Sequence, residues 1–241
     1  LFESDLQSNG SLVYIDPGAT EQIHYTLVNT GTSPAHFDLT AGLQEEPIGW
    51  AVTIEPEQTD LLSPGNTRAV TITVTAPVLS SPQDPETKVS AGNRLHLRVT
   101  STPVEGNSAL TASNITDIEV RPSVSVAMNP LVDELFFSAE DLESGNLFEL
   151  FDVEVMLLSN FPSGTTGSAV VNITSTPTTF SSVDGATYGT QETSRWDSTL
   201  APGSISLNLG ESRTIVASVL GPTEALPAAG ELNFTLTATT S

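Results

Sequence analysis

The sequence has no cysteine and little positive charge, and each absence excludes a class of function. Without cysteine the chain has no disulfides and no thiolate metal sites. Seven Lys and Arg residues stand against 29 Asp and Glu residues, so the formal net charge is −22. A surface of this charge repels nucleic acid and anionic lipid, and we therefore expect neither as a partner.

Long apolar segments and catalytic motifs are also missing. No apolar run approaches the ~20 residues that span a bilayer, so no transmembrane segment is expected. The polar and acidic start, LFESDLQSNG, does not resemble a signal peptide. The patterns G-x-S-x-G, H-E-x-x-H, P-loop and G-x-G-x-x-G do not occur, and the three histidines are far apart in the sequence. We expect no enzyme activity, no cofactor and no resident metal.

Four Asn-x-Ser/Thr sequons are candidates for glycosylation. They begin at Asn9, Asn114, Asn172 and Asn233. Ser and Thr are abundant around them and lysine is nearly absent. The sequence therefore predicts an extracellular or cell-surface protein whose signal peptide has already been removed.

Short segments in which apolar and polar residues alternate predict β-strands. Ile23, Tyr25 and Leu27 form one such segment, and clusters of Pro, Gly, Asn and Ser separate it from the next. Alternation with a period of two is typical of sheets that have one buried and one solvated face. The pattern predicts an all-β protein made of antiparallel β-sandwiches.

An internal repeat indicates two copies of one module. The stretch SPGNTRAVTITVTAP around Gly65 recurs as NLGESRTIVASVLGP around Gly210, and in both a Pro follows the Gly by twelve positions. Upstream, SLVYIDP at 11–17 matches SVSVAMNP at 123–130. The repeat predicts one sandwich at 11–121 and a second at 122–241, with the boundary near Pro122 because proline cannot continue a ladder in mid-sheet.

Residues 1–10 precede the first repeat strand and are predicted to be an N-terminal arm. Such an arm could pair with the open sheet edge of a neighbouring molecule. Disorder is the alternative at a chain terminus.

Several motifs resemble Ig-like modules of bacterial and archaeal secreted and cell-surface proteins. They are an Asn-Thr-Gly after a strand, the pair Gly49-Trp50, a Leu-x-Pro-Gly turn and a T-x-T-V-T-x-P strand. The group includes modules associated with alpha-galactosidases and adhesion-type modules. The resemblance covers most of 11–121 and, more loosely, 123–241, where Leu209 replaces Pro64. It implies tandem Ig-like sandwiches that act as non-catalytic spacers, adhesion units or accessories close to carbohydrate.

The two copies differ most in an acidic, Phe-rich insert at about residues 131–150. Pro17 to Asn29 takes 12 residues in the first copy, whereas Pro130 to Asn160 takes 30 in the second. The sequence has no Lys or Arg between positions 121 and 195. This segment is therefore the candidate functional region of the chain.

Three interpretations of the insert stay open. It is a cap that buries its Phe residues and leaves its acids in water. Alternatively, it is an assembly surface, in which Phe136 and Phe137 anchor a contact and Glu140, Asp141 and Glu143 select the partner. The third interpretation is a calcium site on the same three acids beside Gly145 and Asn146, although they lack the spaced ligand order of a calcium loop.

A basic stripe is predicted on one strand of the first copy. In NRLHLRVTS the apolar residues point one way, so Arg94, His96 and Arg98 line the other face. These cations either pair with acids on neighbouring strands or dock the acidic insert of another copy. The second arrangement would propagate head to tail into a filament.

Aromatic side chains are candidates for stacking on sugars. The candidates are the large aromatic residues with a polar group, namely Trp50, Trp196, Tyr14 and Tyr188. The two Trp residues occupy equivalent positions in the repeat, which favours packing against the sandwich instead.

The sequence as a whole predicts a non-catalytic, extracellular structural protein. It would be a subunit of a cell-surface layer, a fibre or an adhesive stalk that binds copies of itself or other surface proteins. The alternative is a carbohydrate-binding or spacer region of a larger secreted glycoside hydrolase, with polysaccharide as its partner.

Overall fold

The computed structural model describes residues 1–80, 84–105, 110–132, 134–137, 139–144, 147–182, 187–188, 196–221 and 230–240. This part of the chain consists almost entirely of β-strands and their connections, which confirms the all-β prediction. The chain divides into two compact units. Unit 1 comprises Leu1–Ser123 and Asn160–Ser163, and unit 2 comprises Val124–Ser159 and Gly164–Ser241. That the two units are Ig-like domains in tandem stays a prediction.

Unit 1 is a β-sandwich of two four-stranded sheets. The first sheet has the order β1 (Ser4–Ser8), β3 (Thr20–Asn29), β6 (Thr67–Thr75), β5 (Ala51–Glu55). The second has the order β2 (Leu12–Ile15), β8 (Ala112–Val120), β7 (Arg94–Pro103), β4 (Phe37–Leu43). Neighbouring strands are antiparallel except for β2 and β8, which are parallel. A short 3₁₀ turn at Pro85–Thr87 precedes β7.

The core of unit 1 lies between its two sheets, where alternate residues of each strand point inward. Ile23, Tyr25 and Leu27 of β3 are buried, as the period of two predicts. The hydroxyl groups of Tyr25 and Thr116 form a buried hydrogen bond of 2.6 Å. Burial raises the pKa of Tyr25. This polar pair is accommodated among apolar neighbours because its hydrogen bond is made.

Unit 2 also has two sheets. One has the order β13 (Asp197–Ala201), β15 (Ser212–Leu220), β10 (Phe148–Ser159), β9 (Val124–Pro130). In the other, β11 (Ser168–Ser182) pairs with β12 (Thr187–Tyr188), β14 (Ser204–Asn208) and β16 (Gly230–Thr240). A six-residue helix, α1 (Ala139–Ser144), lies between β9 and β10. No helix in the described ranges is long and apolar enough to cross a membrane.

The two repeated glycine turns fix which residues of the first sheets of the two units are equivalent. Gly65 and Gly210 have φ values of 79° and 77°, in the left-handed region that glycine tolerates. The Gly65 N–H donates to the Asn29 carbonyl at 2.8 Å, and the Gly210 N–H donates to the Leu157 carbonyl at 2.8 Å. Leu157 is therefore the equivalent of Asn29. The sequence comparison matched Asn29 with Asn160, which is three residues further along the chain.

The N-terminal stretch is part of the sandwich and not a free arm. Ser4–Ser8 form β1, which pairs antiparallel with β3. Leu6 at its centre is 3% exposed and belongs to the core. The prediction of an arm at 1–10 failed because one buried leucine among polar residues is too weak a signal for a strand.

The strand pairing also corrects the match between SLVYIDP and SVSVAMNP. The first forms β2 in the second sheet of unit 1, whereas the second forms β9 and takes the place of β1. Residues 9–19 connect β1 to β3 through β2, and residues 131–147 connect β9 to β10 through α1. Eleven residues are thus replaced by seventeen, so the segment is six residues longer and stands where unit 1 has β2.

Candidate functional site

The basic stripe lies on β7, and acids of unit 1 partner two of its three side chains. Arg94 Nε donates to Glu119 Oε2 at 2.8 Å. A second acid, Asp117, lies 4.0 Å from Arg94 Nη1. Both carboxylates are on β8, directly across from β7. This geometry favours local cross-strand pairing over docking of another copy for Arg94.

His96 is held by Glu45. One carboxylate oxygen contacts His96 Nδ1, and the other accepts the His96 backbone N–H at 3.0 Å. The hydrogen bond and charge of Glu45 raise the pKa of His96. Partial burial raises the pKa of Glu45, but the hydrogen bonds from His96 outweigh it and hold that pKa below its usual value. The pair lies at the surface of unit 1, where solvent screens its charges, so it contributes little to the attraction of another molecule.

Arg98 differs from the other two members of the stripe. It is exposed, and among the described residues its guanidinium has no hydrogen bond or ion pair. It stands between Gly42 of β4 and Ile115 of β8. A shallow depression of about 540 Å³ opens over Gly42, lined by Thr40, Ala41, Gly42, Leu43, Gln44, Arg98 and Thr100. The stripe thus presents one unpaired cation beside a shallow polar hollow.

The acidic insert packs part of its apolar side on unit 2. The Phe137 ring lies 5.8 Å from the Trp196 ring, and Leu147 is buried beside them. Phe136 instead is 80% exposed. This packing favours a capping role for the segment around Phe137 and leaves Phe136 available for a contact.

The acids of the insert lie on α1. Glu140 and Asp141 are in its first turn, and Glu143 belongs to the same helix, although its side chain is not described. Positions 145 and 146, which the calcium interpretation also used, lie outside the described residues. Within the described ranges, no three His, Asp or Glu side chains come together as a metal site would require. The calcium interpretation thus gains no support from the geometry.

Both Trp side chains are engaged in packing. Trp50 Nε1 donates to the Thr87 carbonyl at 2.6 Å, and Trp196 is 7% exposed. Tyr14 is 44% exposed, with the Arg121 guanidinium 5.6 Å from its ring centre. The side chain of Tyr188 lies outside the described residues. Tyr14 is thus the one aromatic of the four with an accessible ring among those described.

The four sequons differ in accessibility. Asn9 is exposed at the end of β1, and Asn172 and Asn233 are exposed on β11 and β16. Asn114 is half-buried, and its amide donates to the Leu6 carbonyl at 2.9 Å. The half-buried position leaves less room for a glycan at Asn114 than at the three exposed sites, which makes this sequon the least suited of the four.

One surface was missed by the sequence interpretation. On the outer face of the β13-β15-β10-β9 sheet, Phe148 and Leu150 of β10 are 49% and 55% exposed, and Val216 and Leu220 of β15 are 39% and 49% exposed. The signal was present in FELFDVEV, where Phe148 and Leu150 alternate out of phase with buried Val153. A strand with apolar residues in both phases has an apolar outer face near that end.

Comparison with known proteins gives a family for part of the chain. Residues 15–100 match the model of the family described as the NPCBM-associated, NEW3 domain of alpha-galactosidase. The match confirms, for these residues, the resemblance to alpha-galactosidase-associated modules. Such a module is a non-catalytic accessory domain typical of secreted enzymes. No curated protein matches the chain.

Several solved structures are similar at low identity. PapD-like domain 7 of human CEP192 is 14% identical, and the alignment covers 48% of this chain and 83% of that domain with a TM-score of 0.32. The E. coli chaperone DraB is 12% identical over 98% of this chain and 95% of that one, with a TM-score of 0.34. The YadV chaperone is 10% identical over 98% and 91%, with a TM-score of 0.32.

Proposed function

Because residues 15–100 form a module of the NPCBM-associated NEW3 family, we propose that this chain is a non-catalytic accessory region of a larger, secreted glycoside hydrolase. The family match is the observation that supports this function. Its role would be to hold a catalytic domain close to a polysaccharide, as a spacer or as a weak carbohydrate-binding region. The extracellular location is part of the same proposal.

The geometry favours the spacer over the carbohydrate-binding role. Sugar-binding surfaces present flat aromatic rings beside polar groups. Here Trp50 and Trp196 are occupied by packing, and Arg121 lies over the ring of Tyr14. The depression at Gly42 is shallow and its described lining contains no aromatic residue.

The test compares the complete polypeptide with a version that lacks residues 1–241. We expect equal hydrolysis of a soluble chromogenic galactoside by both, and slower hydrolysis of an insoluble galactose-containing polysaccharide by the truncated version. A complete polypeptide without any catalytic domain would refute the proposal, as would equal rates on the insoluble substrate.

The isolated chain separates the two roles. A spacer migrates unretarded through native gels that contain polysaccharide, whereas a binding region is retarded. If retardation occurs, Tyr14→Ala should abolish it, because this residue has the accessible aromatic ring. Tyr25→Phe is the matched control, since its ring lies in the core.

A structural subunit of a cell-surface layer, fibre or stalk is the second candidate function. The exposed apolar side chains of unit 2, among them Phe136, favour it because soluble monomers rarely leave such groups uncovered together. Electron microscopy of the native protein should then reveal regular filaments or arrays. If the basic stripe joins the subunits, the double variant Arg94→Glu/Arg98→Glu loses self-association, and unchanged assembly contradicts that contact.

A further inference from the structure

The outer face of the β13-β15-β10-β9 sheet has a group of exposed apolar side chains. Phe148 and Leu220 are direct cross-strand partners, and Leu150 lies one outward position further along β10. Val216 follows on β15, opposite Asp152. The Leu131 N–H donates to the Asp152 carbonyl at 2.9 Å, which places Leu131 in the same row, and it is 54% exposed. We call Leu131, Phe148, Leu150, Val216 and Leu220 the apolar face.

Unit 1 has polar residues at every equivalent position. In the register set by the two glycine turns, Phe148 and Leu220 correspond to Thr20 and Thr75, whose hydroxyls form a hydrogen bond of 2.9 Å. The other three correspondences are Leu150 with Gln22, Val216 with Thr71 and Leu131 with Asn9. The Asn9 N–H donates to the His24 carbonyl at 3.2 Å, as Leu131 does to Asp152.

The apolar side chains of this face are not needed for folding. The same sheet position forms with Thr, Gln and Asn in unit 1, so the fold does not require apolar side chains there. Their exposure in unit 2 leaves apolar surface in water without a gain in core packing. Grouped apolar surface of this kind marks a protein-interaction site.

The charges around the face define the partner. Asp152 lies within it, opposite Val216, and Asp197 lies opposite Leu220; both are exposed. The one cation of β15, Arg213, is paired with Glu211 at 3.1 Å. Two copies that met through this face would bring acids against acids, which is unfavourable in a chain of charge −22. A surface with Lys or Arg around an apolar centre would complement it.

We propose that the apolar face binds a protein surface whose apolar centre is bordered by Lys or Arg side chains. The three strands that carry the apolar face are about 4.8 Å apart, and its three outward rows are about 6.8 Å apart, so it covers roughly 300 Å² of sheet. This is a little over a third of the ~800 Å² that a standard interface buries on each partner. The apolar side chains would form most of the contact, and the exposed carboxylates of Asp152 and Asp197 would pair with the Lys or Arg side chains of the partner. This binding site is independent of both functions proposed above.

The test variant replaces three residues of the apolar face with the residues at the equivalent positions of unit 1. Phe148→Thr, Leu150→Gln and Leu220→Thr together make three of the five side chains of the face polar without changing the charge. The matched control, Ile115→Thr with Val170→Thr, removes exposed apolar side chains from other sheets. Near-UV circular dichroism and thermal unfolding establish that each variant folds. Leu150→Gln alone replaces the triple variant if the triple variant does not fold.

The probes are two fluorescein-labelled synthetic peptides, one alternating Lys with Leu and the other alternating Glu with Leu. Anisotropy at near-physiological salt measures their affinities for the 241-residue chain. We expect the Lys–Leu peptide to bind the wild type and the control at least about tenfold more tightly than the triple variant, and the Glu–Leu peptide not to bind. Non-specific attraction to a negative chain is the same in all three proteins, so the difference reports the apolar face.

Three results would overturn the proposal. Equal affinity of the Lys–Leu peptide for the wild type and the triple variant would mean that charge alone attracts it. Equal binding of the two peptides would show that the partner needs no Lys or Arg side chains around its apolar centre. Sedimentation velocity that shows a dimer of the wild type, absent in the triple variant, would make a second copy the occupant of the face.

Discussion

Replacing Asn29 with alanine tests whether one buried amide holds the end of β3 in unit 1. Asn29 is fully buried. Its Nδ2 donates to the carbonyls of Ser33 and Leu62 at 3.0 and 2.8 Å. Its Oδ1 accepts the Gly31 N–H at 2.9 Å. The side chain therefore closes the loop after β3 onto the segment that leads to the Gly65 turn.

The expected loss of unfolding free energy depends on the hydrogen bonds that the partners of Asn29 keep in the variant. The Leu62 carbonyl still accepts the Ala35 N–H at 3.0 Å, and the Gly31 N–H still donates to the Glu3 carbonyl at 3.1 Å. Two of the three partners thus keep a hydrogen bond, and the third, the Ser33 carbonyl, belongs to a partly exposed residue that water can reach. Each lost bond therefore costs about 1 kcal/mol and not the larger penalty of an orphaned group. The free energy of unfolding of unit 1 should fall by about 3 kcal/mol. With an m-value of about 2 kcal/mol/M, the urea midpoint falls by about 1.5 M.

The assay is urea denaturation followed by fluorescence in a Trp196→Phe background, where Trp50 in unit 1 is the one remaining indole. Asn9→Ala is the control, because Asn9 is exposed and its loss should change stability by less than about 0.5 kcal/mol. A loss below about 1 kcal/mol for Asn29→Ala would refute the reasoning that these hydrogen bonds hold the loop.

Two further predictions concern a surface pair and a close contact. The pKa of His96 is raised and that of Glu45 is lowered. The stability from His96 is therefore full below its unfolded pKa of about 6.5 and is lost as pH rises through the folded value. The stability from Glu45 is full above about 4.3 and is lost as pH falls through its folded value. Glu45→Gln should lower the His96 titration midpoint seen by NMR, and an unchanged midpoint would contradict the pairing. Gly221→Ala should destabilise unit 2 by about 1–3 kcal/mol, because its Cβ would lie 2.6 Å from Leu147 Cβ. Gly203→Ala, whose nearest atom lies at 3.8 Å, is the control in thermal unfolding, and equal midpoints would disprove the contact.

Local patterns were sufficient to predict several strands and one turn. Val70, Ile72 and Val74 alternate with polar residues in the sequence, and all three are buried on β6. Gly65 adopts the left-handed φ that its place after Pro64 suggested. These features depend on residues close together in the chain, whose backbone preferences and spacing are visible without the rest of the molecule.

Strand order and register were not predictable in the same way. SLVYIDP and SVSVAMNP look alike, yet β2 pairs with β8 and β9 pairs with β10. The two segments share a pattern, but the choice of sheet depends on which edge the preceding strand leaves open. In unit 1 β1 fills the edge of the first sheet, and in unit 2 β9 fills it. Which strand occupies the edge depends on residues far apart in the chain, so it is not visible in the pattern of either segment alone.

The sequence by itself determined an all-β chain with a repeated turn and strand, a strongly acidic surface and a stripe of three cations on β7. Only the tertiary structure decided which of those cations stays unpaired, because Glu119 and Glu45 come from elements distant in the chain. It also decided that Phe148 and Leu150 face water. Their exposure depends on which face of β10 packs on the core, a choice made by the whole sheet and not by the strand alone.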